Sequence, residues 1–327
     1  MKKRFGTLLL SLVFVLSTLL VVGCSNTTNT TQTKAKIKIA VLKGPTGMGI
    51  VKLMEDNKDL YDITLYDSPD EIVSKIVTGE VDAAAVPSNL APILYAKTKK
   101  QIELVAVNTL GVLYIVENGT TVKKISDLKG KTIVASGKGG TPEFVLNYIL
   151  KKNGLDPDKD VTIEWKAQHS DVAAAVAAKQ VDIAVLPEPF VTTTKMKDTT
   201  LQVPIDLTAE WKKVSGDDSQ LIMGVMIFRK AFIDSRGSDV DTFLDKYKAS
   251  VDYVNKNAAA AGTLIEKNGI LPNAKIAEMA IPRSNIVFIS AQDAKKSLIS
   301  FFTVLMQFDP TSIGGSLPDE NFYYKGK

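Results

Sequence analysis

Hydrophobic and polar positions follow the same order in two stretches of the chain, 71–87 and 171–187, which align without gaps at an offset of 100 residues. In each stretch, apolar residues recur at helical spacing, and a tight turn, a short apolar strand and a proline follow. The first helix has a clear start, with Ser68 as a capping residue and Pro69 in the first turn. The pattern therefore predicts, twice, a helix, a buried strand and the beginning of a second helix.

The repeat extends upstream of both stretches. Apolar runs at 37–42 and 132–135 predict strands that enter glycine-containing loops at 44–49 and 137–142, and further strands are predicted at 63–66 and 161–165. In the second loop we expect Thr141 to be the N-cap and Pro142 the first helical residue. The chain thus contains a βαβαβ unit twice, and right-handed crossovers make each unit a mainly parallel sheet flanked by helices.

The rest of the chain predicts how the two units are arranged. A strand-like run at 221–228 precedes a mostly helical tail, which has apolar stripes at 240–254 and 298–306 and a capping box that starts at Ser290. Because these helices need a sheet to cover, we assign them to the first unit. The predicted fold class is α/β, with two lobes and a ligand cleft between them. Lobe one comprises 37–112 plus 212–327, lobe two comprises 113–211, and the chain crosses between them near 109–115 and 209–223.

The amino terminus has the layout of a secretory signal. Lys2, Lys3 and Arg4 precede an apolar run at 7–22, which ends in Gly23 and Cys24. The segment resembles the relaxed lipobox of bacterial lipoproteins, in which the cysteine is diacylated, whereas an uncleaved membrane anchor needs about 20 apolar residues. We predict a lipoprotein signal peptide at 1–23, lipidation of Cys24, and a flexible lipid-anchored tether at 24–36.

Composition narrows the classes of function. The 327 residues carry a net charge of +4, which falls to +1 when three basic residues leave with the signal. A charge so close to zero, without a basic cluster, argues against nucleic acid as a partner. The mean hydropathy of +0.06 excludes a protein with many membrane spans. A single histidine and a single, anchored cysteine argue against an enzyme, so we predict no catalytic residue, no cofactor and no metal site.

Several features, taken in order, resemble a known family. They are the lipobox, the twin units, the loop at 43–49, the segment at 127–131 that enters lobe two, and the stretch at 181–189. Over 37–327 the chain resembles the solute-binding lipoproteins of ABC importers with a type II periplasmic-binding-protein-like fold, most of all the group of nitrate, sulfonate, taurine and thiamine-precursor binders. The segment at 313–320 is similar to that of poorly characterised Gram-positive members.

The resemblance implies a function and a location. Two lobes close on a small organic solute and deliver it to the transmembrane subunits of an ABC permease. The protein is then a monomer on the extracytoplasmic face of a Gram-positive cell membrane, which it contacts through its lipid anchor alone.

Ligands of open α/β sheets bind beyond the carboxyl ends of the strands, where helix N-termini present free N–H groups. Glycines in such loops let the backbone approach a ligand closely. Two alternatives stay open here: the glycine loops are ligand cradles or ordinary turns, and Ser88 and Asn89 donate to the ligand or cap their helix. The candidate ligand-binding residues are Gly44, Pro45, Thr46, Gly47, Met48, Ser88, Asn89, Thr109, Lys138, Gly139, Gly140, Thr141, Glu188 and Trp211.

Charges in the candidate site point in two directions. Glu188, between two prolines, either binds a cationic or N–H-rich group or stabilises a helix N-terminus. The loop at 137–141, with Lys138, favours an anion instead. The three arginines of the mature chain, at 229, 236 and 283, lie outside these loops, so none is expected to hold an anion bidentately. The candidate solutes are therefore sulfonate-, nitrate- or taurine-like anions and thiamine-precursor-like pyrimidines.

Three further side chains have alternative roles. Trp211 either stacks on the solute or packs at the junction of the lobes, Trp165 is expected in the core, and His169 is expected at the surface. The predicted function is an extracytoplasmic substrate-binding lipoprotein of an ABC importer. The alternatives are a ligand-binding signalling or adhesion lipoprotein without its own permease, and a biosynthetic enzyme on the same fold.

Overall fold

A computed structural model describes residues 34–216 and 219–326. The predicted signal peptide at 1–23, Cys24 and most of the tether lie outside the described residues. Residues Lys36–Lys327 form one compact unit with its own hydrophobic core.

The first sheet has six strands in the spatial order β11-β4-β10-β3-β1-β2. Strand β1 pairs in parallel with β2 and β3, whereas β10 runs antiparallel to β3 and β4, and β11 antiparallel to β4. We call this sheet and its helices lobe one. Its strands are β1 (Ile37–Leu42), β2 (Tyr61–Tyr66), β3 (Ala83–Pro87), β4 (Ile102–Leu110), β10 (Ile222–Arg229) and β11 (Ile286–Ser290).

The second sheet has five strands in the spatial order β7-β6-β8-β5-β9. Strand β6 is parallel to β7 and β8, and β5 is antiparallel to β8 and β9. This sheet and its helices form lobe two. Its strands are β5 (Leu113–Glu117), β6 (Thr132–Ser136), β7 (Thr162–Lys166), β8 (Ile183–Pro187) and β9 (Gln202–Asp206).

Helices connect and cover the strands of both sheets. No helix in the described ranges is long and apolar enough to cross a membrane. The helices are α1 (Pro45–Met48), α2 (Val51–Asp56), α3 (Pro69–Thr78), α4 (Leu90–Lys97), α5 (Thr141–Lys152), α6 (His169–Ala177), α7 (Phe190–Lys197), α8 (Leu207–Ser215), α9 (Lys230–Lys256), α10 (Ala258–Lys267), α11 (Ala274–Ala280) and α12 (Ala291–Phe308).

The predicted α/β fold with two lobes is confirmed, and the internal repeat is visible in the elements themselves. Strands β3 and β8, and helices α4 and α7, have bounds that differ by 100 residues. Two predicted helix starts have the expected caps, since Ser68 Oγ accepts a hydrogen bond from Asp70 N at 3.2 Å and Ser290 Oγ accepts one from Asp293 N at 3.1 Å.

The hydrophobic core has two parts. A large cluster includes Ile39, Phe243 and Phe301 and continues into lobe two at Leu146, and a smaller cluster lies under α6 and α7. Trp165, which was expected in the core, is only partly buried. The reason is that its strand, β7, lies at the edge of the second sheet, where one side lacks a neighbouring strand.

Candidate functional site

A cleft of about 590 Å³ lies between the lobes, at the carboxyl ends of their parallel strands. The loops that follow β1, β2 and β3 line it from lobe one, and those that follow β6, β7 and β8 line it from lobe two. Each of these loops leads into a helix, so six helix N-termini surround the same space. Because the first turn of a helix has N–H groups without intrahelical partners, this cleft offers hydrogen-bond donors and a positive potential.

Helices α4 and α5 face the cleft from opposite lobes. Neither Asn89, which precedes α4, nor Gly140, which precedes α5, caps its helix with a side-chain hydrogen bond. Helices α3 and α8 differ, since Ser68 and Asp206 accept hydrogen bonds from N–H groups of the first turn. No N-cap side chain therefore occupies the first turns of α4 and α5, although Pro92 and Pro142 have no N–H to donate and Glu143 N donates to Gly140 O at 3.1 Å.

A buried polar contact joins these two helix starts across the cleft. Thr141 Oγ1 donates to Asn89 Oδ1 at 2.9 Å and lies 3.3 Å from Ser88 Oγ. Ser88 Oγ donates to Ile222 O at 2.5 Å, and Asn89 Nδ2 donates to Ser312 O at 3.2 Å. The prediction of Thr141 as an N-cap was wrong by one residue: Gly140 is the N-cap, because the Thr141 hydroxyl is directed to the other lobe.

The glycine loop before α5 lines the cleft, as its position predicts. Two of its backbone N–H groups are already hydrogen-bonded within the protein, so the loop does not present an unbroken row of free N–H donors. Gly139 N donates to Glu143 Oε2 at 2.5 Å, and Gly140 N donates to Gly137 O at 3.0 Å. Gly137 and Gly139 have φ of +84° and +75°, so both use the left-handed conformation that glycine allows. The exposed Lys138 lines the cleft beside them.

The charged side chains of the cleft differ between the lobes. In lobe one, Lys43 Nζ lies 2.9 Å from Asp67 Oδ1, and Asp70 is close by in the lining. In lobe two, Lys138 and Lys166 line the cleft, and neither forms an ion pair within 34–216 and 219–326. Lobe two therefore contributes two cations that are available to a ligand.

His169 lies in the wall of the cleft, where it is half-buried, so the prediction of a surface imidazole holds only in part. Its Nδ1 is hydrogen-bonded to Ser136 Oγ at the carboxyl end of β6, and its ring lies 5.7 Å from that of Phe190. Burial lowers the pKa of His169 to about 4, so the imidazole is neutral at physiological pH. The polar turn before α6, residues 166–168, is exposed and lines the cleft.

Glu188 is fully buried beneath the cleft. Its Oε2 accepts a hydrogen bond from Thr192 N at 3.1 Å, in the first turn of α7, and its Oε1 lies 2.8 Å from Arg283 Nε. Burial raises the pKa of Glu188, and the contacts with Thr192 and Arg283 oppose that shift. The three arginines lie outside these loops in sequence, yet Arg283 reaches Glu188 from lobe one, a contact that the sequence does not predict.

Some predicted residues are outside the cleft. Trp211 is fully buried, donates from Nε1 to Ser219 Oγ at 3.2 Å, and packs at 5.0 Å and 5.4 Å from the rings of Tyr148 and Phe301. It therefore packs at the junction of the lobes, which corrects its inclusion among the ligand contacts.

The structure divides the remaining candidates. Gly47 and Met48 are also buried away from the lining, because the single turn of α1 directs them toward the core. The candidates that do line the cleft are Gly44, Pro45, Thr46, Asn89, Thr109, Lys138, Gly139, Gly140, Thr141 and Glu188. Ser88 lies behind them, in contact with Thr141, and ligand binding by these residues stays a prediction.

Sequence reasoning missed part of the lining. Asp67 and Asp70 follow β2, Lys166 ends β7 and Gln168 follows it, so all four lie at or beyond the carboxyl end of a parallel strand. The same positional rule that selected the other loops would have selected these. Ser136, the last residue of β6, was missed for the same reason. Within the described ranges, no group of three His, Cys, Asp or Glu side chains is placed to hold a metal ion.

Comparison with known proteins agrees with this architecture. Residues 60–205 match the model of a family described as ABC transporter, phosphonate, periplasmic substrate-binding protein. A stretch of 62 residues is 37% identical to the binding protein YtlA of Bacillus subtilis (strain 168), and this stretch spans 19% of either chain, so it informs only a fifth of that relative's length.

Solved structures are similar over most of the chain. An ABC transporter protein from Parabacteroides distasonis has a TM-score of 0.76 at 24% identity, over 89% of this chain and 99% of that one. The periplasmic aliphatic sulphonate binding protein SsuA from Escherichia coli has a TM-score of 0.67 at 16% identity, over 89% and 92% of the two chains. At these identities the similarity establishes the fold.

The two sheets, the cleft between them and the helix N-termini that surround it define a two-lobed α/β fold of the type II periplasmic-binding-protein class. The family match over 60–205 makes this part of the chain similar to the periplasmic substrate-binding proteins of ABC transporters.

Proposed function

We propose that this protein is the extracytoplasmic substrate-binding component of an ABC importer, and that it binds a small phosphonate- or sulfonate-like anion and delivers it to the permease. The observation that carries the proposal is the opposition of α4 and α5 across the cleft, each with an N-terminus that no side chain of its N-cap residue occupies. Two helix N-termini that face the same space form a suitable site for an oxyanion.

Side chains around these helix starts support an anion. The Thr141 hydroxyl can donate to an oxygen atom of the ligand in place of its present contact with Asn89 Oδ1, whereas Asn89 Nδ2 already donates to Ser312 O at 3.2 Å. Lys138 and Lys166 add positive charge from lobe two. The match of residues 60–205 to the phosphonate-binding family supports an anionic ligand, and so does the structural similarity to an aliphatic sulphonate binding protein.

A cationic ligand is less well supported. The only acidic side chain among the sequence candidates, Glu188, already contacts Thr192 N and Arg283 with its two oxygens. Its Oε2 caps α7 and its Oε1 is ion-paired with Arg283 without accepting a hydrogen bond, so an amino group would have to compete with this arginine. This observation favours an anion over a thiamine-precursor-like pyrimidine.

The proposal includes the anchoring and division of the chain inferred from the sequence. Signal cleavage before Cys24 and its acylation would hold a monomeric body at the membrane through the tether. Lobe one, 37–112 plus 212–327, and lobe two, 113–211, would close on the anion, since Asn89 and Thr141 come from different lobes. A solute that contacts both lobes stabilises the closed state.

The test is a binding screen on residues 36–327, which form a unit with its own core. Thermal shift and calorimetry with ethylphosphonate, ethanesulfonate and hydroxymethylpyrimidine should show stabilisation by at least one anion, because a ligand that binds only the folded state raises its stability. Binding of the pyrimidine without binding of either anion would overturn the proposal, as would the absence of any effect across a wider panel of phosphonates and sulfonates.

A matched pair of lysine variants locates the site. We expect Lys138→Ala to weaken anion binding by about fivefold to tenfold at low salt, with a smaller effect at high salt because the charge of an exposed lysine is screened. Lys123→Ala, an exposed lysine of lobe two outside the cleft, should leave the affinity unchanged. Equal effects of the two substitutions would show that only the overall charge matters and would place the anion elsewhere.

A further inference from the structure

Arg283 is the residue through which lobe one reaches the buried carboxylate of lobe two. It ends a short 3₁₀ helix (Ile281–Arg283) just before β11, in the first sheet, whereas Glu188 follows β8, in the second. The distance of 2.8 Å between Arg283 Nε and Glu188 Oε1 therefore joins the two lobes. Arg283 itself is outside the cleft lining, and its side chain is 41% exposed.

Other contacts hold the segment around Arg283 against lobe two and against the stretch of chain that passes between the lobes. The Arg283 guanidinium lies 4.8 Å from the ring centroid of Tyr114, and Tyr114 Oη donates to Arg283 O at 3.4 Å. Two residues further on, Asn285 Nδ2 donates to Gly111 O, and Leu110 N donates to Asn285 O at 3.1 Å. Gly111 lies between β4 and β5, where the chain passes from one lobe to the other. Arg283 is thus oriented toward Glu188 by several independent contacts.

The position of Glu188 gives this pair a consequence for ligand charge. A buried carboxylate next to an anion site repels the anion unless a cation compensates it, and the interaction is strong because little water screens it. Thr192 N supplies a partial positive charge, whereas Arg283 supplies a full one. Arg283 belongs to lobe one, so a separation that draws its segment away from Tyr114 and Glu188 removes this compensation.

We infer that Arg283 and Glu188 form an interlobe pair that couples anion affinity to lobe closure. In the closed arrangement Arg283 neutralises Glu188 and the cleft accepts an anion. When the lobes separate, the Glu188 carboxylate is left uncompensated beneath the cleft and favours release. Because coupling is reciprocal, an anion in the cleft also stabilises the closed pair. The inference rests on the proposed anion-binding function, and it makes Arg283 a positioning residue that acts through Glu188.

The experiment is a double-mutant cycle on residues 36–327, with affinities for ethylphosphonate and ethanesulfonate measured by calorimetry. We expect Arg283→Gln to weaken binding about tenfold or more, the scale of one uncompensated charge close to the site. Glu188→Gln alone should bind at least as tightly as the wild type, and the double variant should recover most of the loss. Arg283→Lys keeps the charge and should stay close to the wild type, and Arg236→Gln, which removes an arginine of α9 whose Nε lies 2.6 Å from Asp239, is the matched control.

A purely structural role for Arg283 predicts a different result. If the pair only stabilised the fold, Glu188→Gln would not restore the affinity of Arg283→Gln, because the lost contact would remain lost. The inference is overturned if the double variant is as weak as Arg283→Gln, or if Arg283→Gln binds like the wild type.

Lobe separation gives a second readout, which does not need a ligand. In small-angle X-ray scattering, Arg283→Gln without ligand should have a larger radius of gyration than the wild type, and Arg236→Gln should not. If the wild type bound no anion, the proposed function would fail, and with it the effect of Glu188 on affinity. An unchanged radius of gyration in Arg283→Gln would overturn the interlobe pair itself.

Discussion

Helices α4 and α7 occupy equivalent places in the two lobes but begin in different ways. Leu90–Lys97 and Phe190–Lys197 each follow a buried strand that ends in proline, at an offset of 100 residues. In lobe one the next two residues are Ser88 and Asn89, and the first turn of α4 has no side-chain cap from Asn89. In lobe two the carboxylate of Glu188 accepts a hydrogen bond from the first turn of α7.

This difference shows how one backbone plan supports two roles. The N-terminus of any helix attracts an anion. A carboxylate side chain of the protein itself can accept the hydrogen bonds of the first turn, and it then takes the place of an external anion. Glu188 does so for α7 and is in turn neutralised by Arg283, whereas α4 stays open. The residues directly after β3 and β8 therefore decide which lobe offers its helix to a ligand, and substitutions at equivalent places test that conclusion.

The largest effect is expected when α4 is given a carboxylate of its own. Asn89→Asp keeps the shape of the side chain and adds a negative charge at the open helix start. At about 4 Å from a bound anion, the repulsion is about 4 kcal/mol at an effective dielectric constant of 20, so the affinity should fall on the order of 10³-fold. Calorimetry with ethylphosphonate and ethanesulfonate measures this directly.

A second Asn→Asp substitution controls for stability. Asn273 caps α11, where its Oδ1 accepts a hydrogen bond from Ile276 N at 3.0 Å outside the cleft. Asn273→Asp should leave both affinity and melting temperature close to the wild type, since Asp and Asn cap helices equally well. A folded Asn89→Asp that bound the anion as well as Asn273→Asp would show that α4 does not contact the ligand.

Much of this comparison was predictable from the sequence, because it depends on local patterns. The offset repeat, the Ser68 and Ser290 caps, and the loops after the parallel strands follow from hydrophobic spacing and from residues close together in the chain. The sequence does not predict strands β4, β5 and β9. A continuous apolar run, such as 102–110, can be a strand or another kind of buried segment, and hydrophobic spacing alone does not separate the two.

The rest could not be predicted because it depends on residues far apart in the chain. Arg283 and Glu188 are separated by 95 positions, and the contact of Asn89 with Thr141 joins two lobes. Trp211 faces the core instead of the cleft because α8 packs with Tyr148 and Phe301, which no spacing in the sequence indicates. Such placements follow from tertiary packing alone.

The starts of α3 and α6 offer the next comparison, since Pro69 in lobe one corresponds to His169 in lobe two. Proline has no charge to lose, whereas the half-buried imidazole has a pKa of about 4 against an ordinary 6.5. The unfolded chain therefore binds a proton at a higher pH than the folded one. Stability from the neutral imidazole is complete above about pH 6.5 and is lost as the pH falls toward 4.

Denaturant unfolding of the wild type and of His169→Gln, at pH 7 and at pH 4.5, isolates this contribution. Acidification should cost the wild type up to about 2 to 3 kcal/mol more than the variant, given about 1.4 kcal/mol for each unit of pKa shift. The variant carries the same carboxylates, so their titration cancels in the difference. A difference that does not change with pH would contradict the half-buried, neutral state of His169.

The smallest effect concerns the glycine loop that precedes α5, where two left-handed residues have different surroundings. A Cβ added at Gly137 would lie 2.9 Å from Pro142 Cγ, whereas one added at Gly139 would meet nothing within 4 Å. Both substitutions by alanine incur about 1 to 2 kcal/mol for the left-handed backbone. Gly137→Ala should lose about 1 kcal/mol or more beyond Gly139→Ala, because the rigid proline ring at the start of α5 must shift. Chemical denaturation measures the free energies of unfolding of the two variants. Equal losses would show that the loop relaxes away from Pro142, and that the other contacts of α5 hold the start of this helix at the cleft.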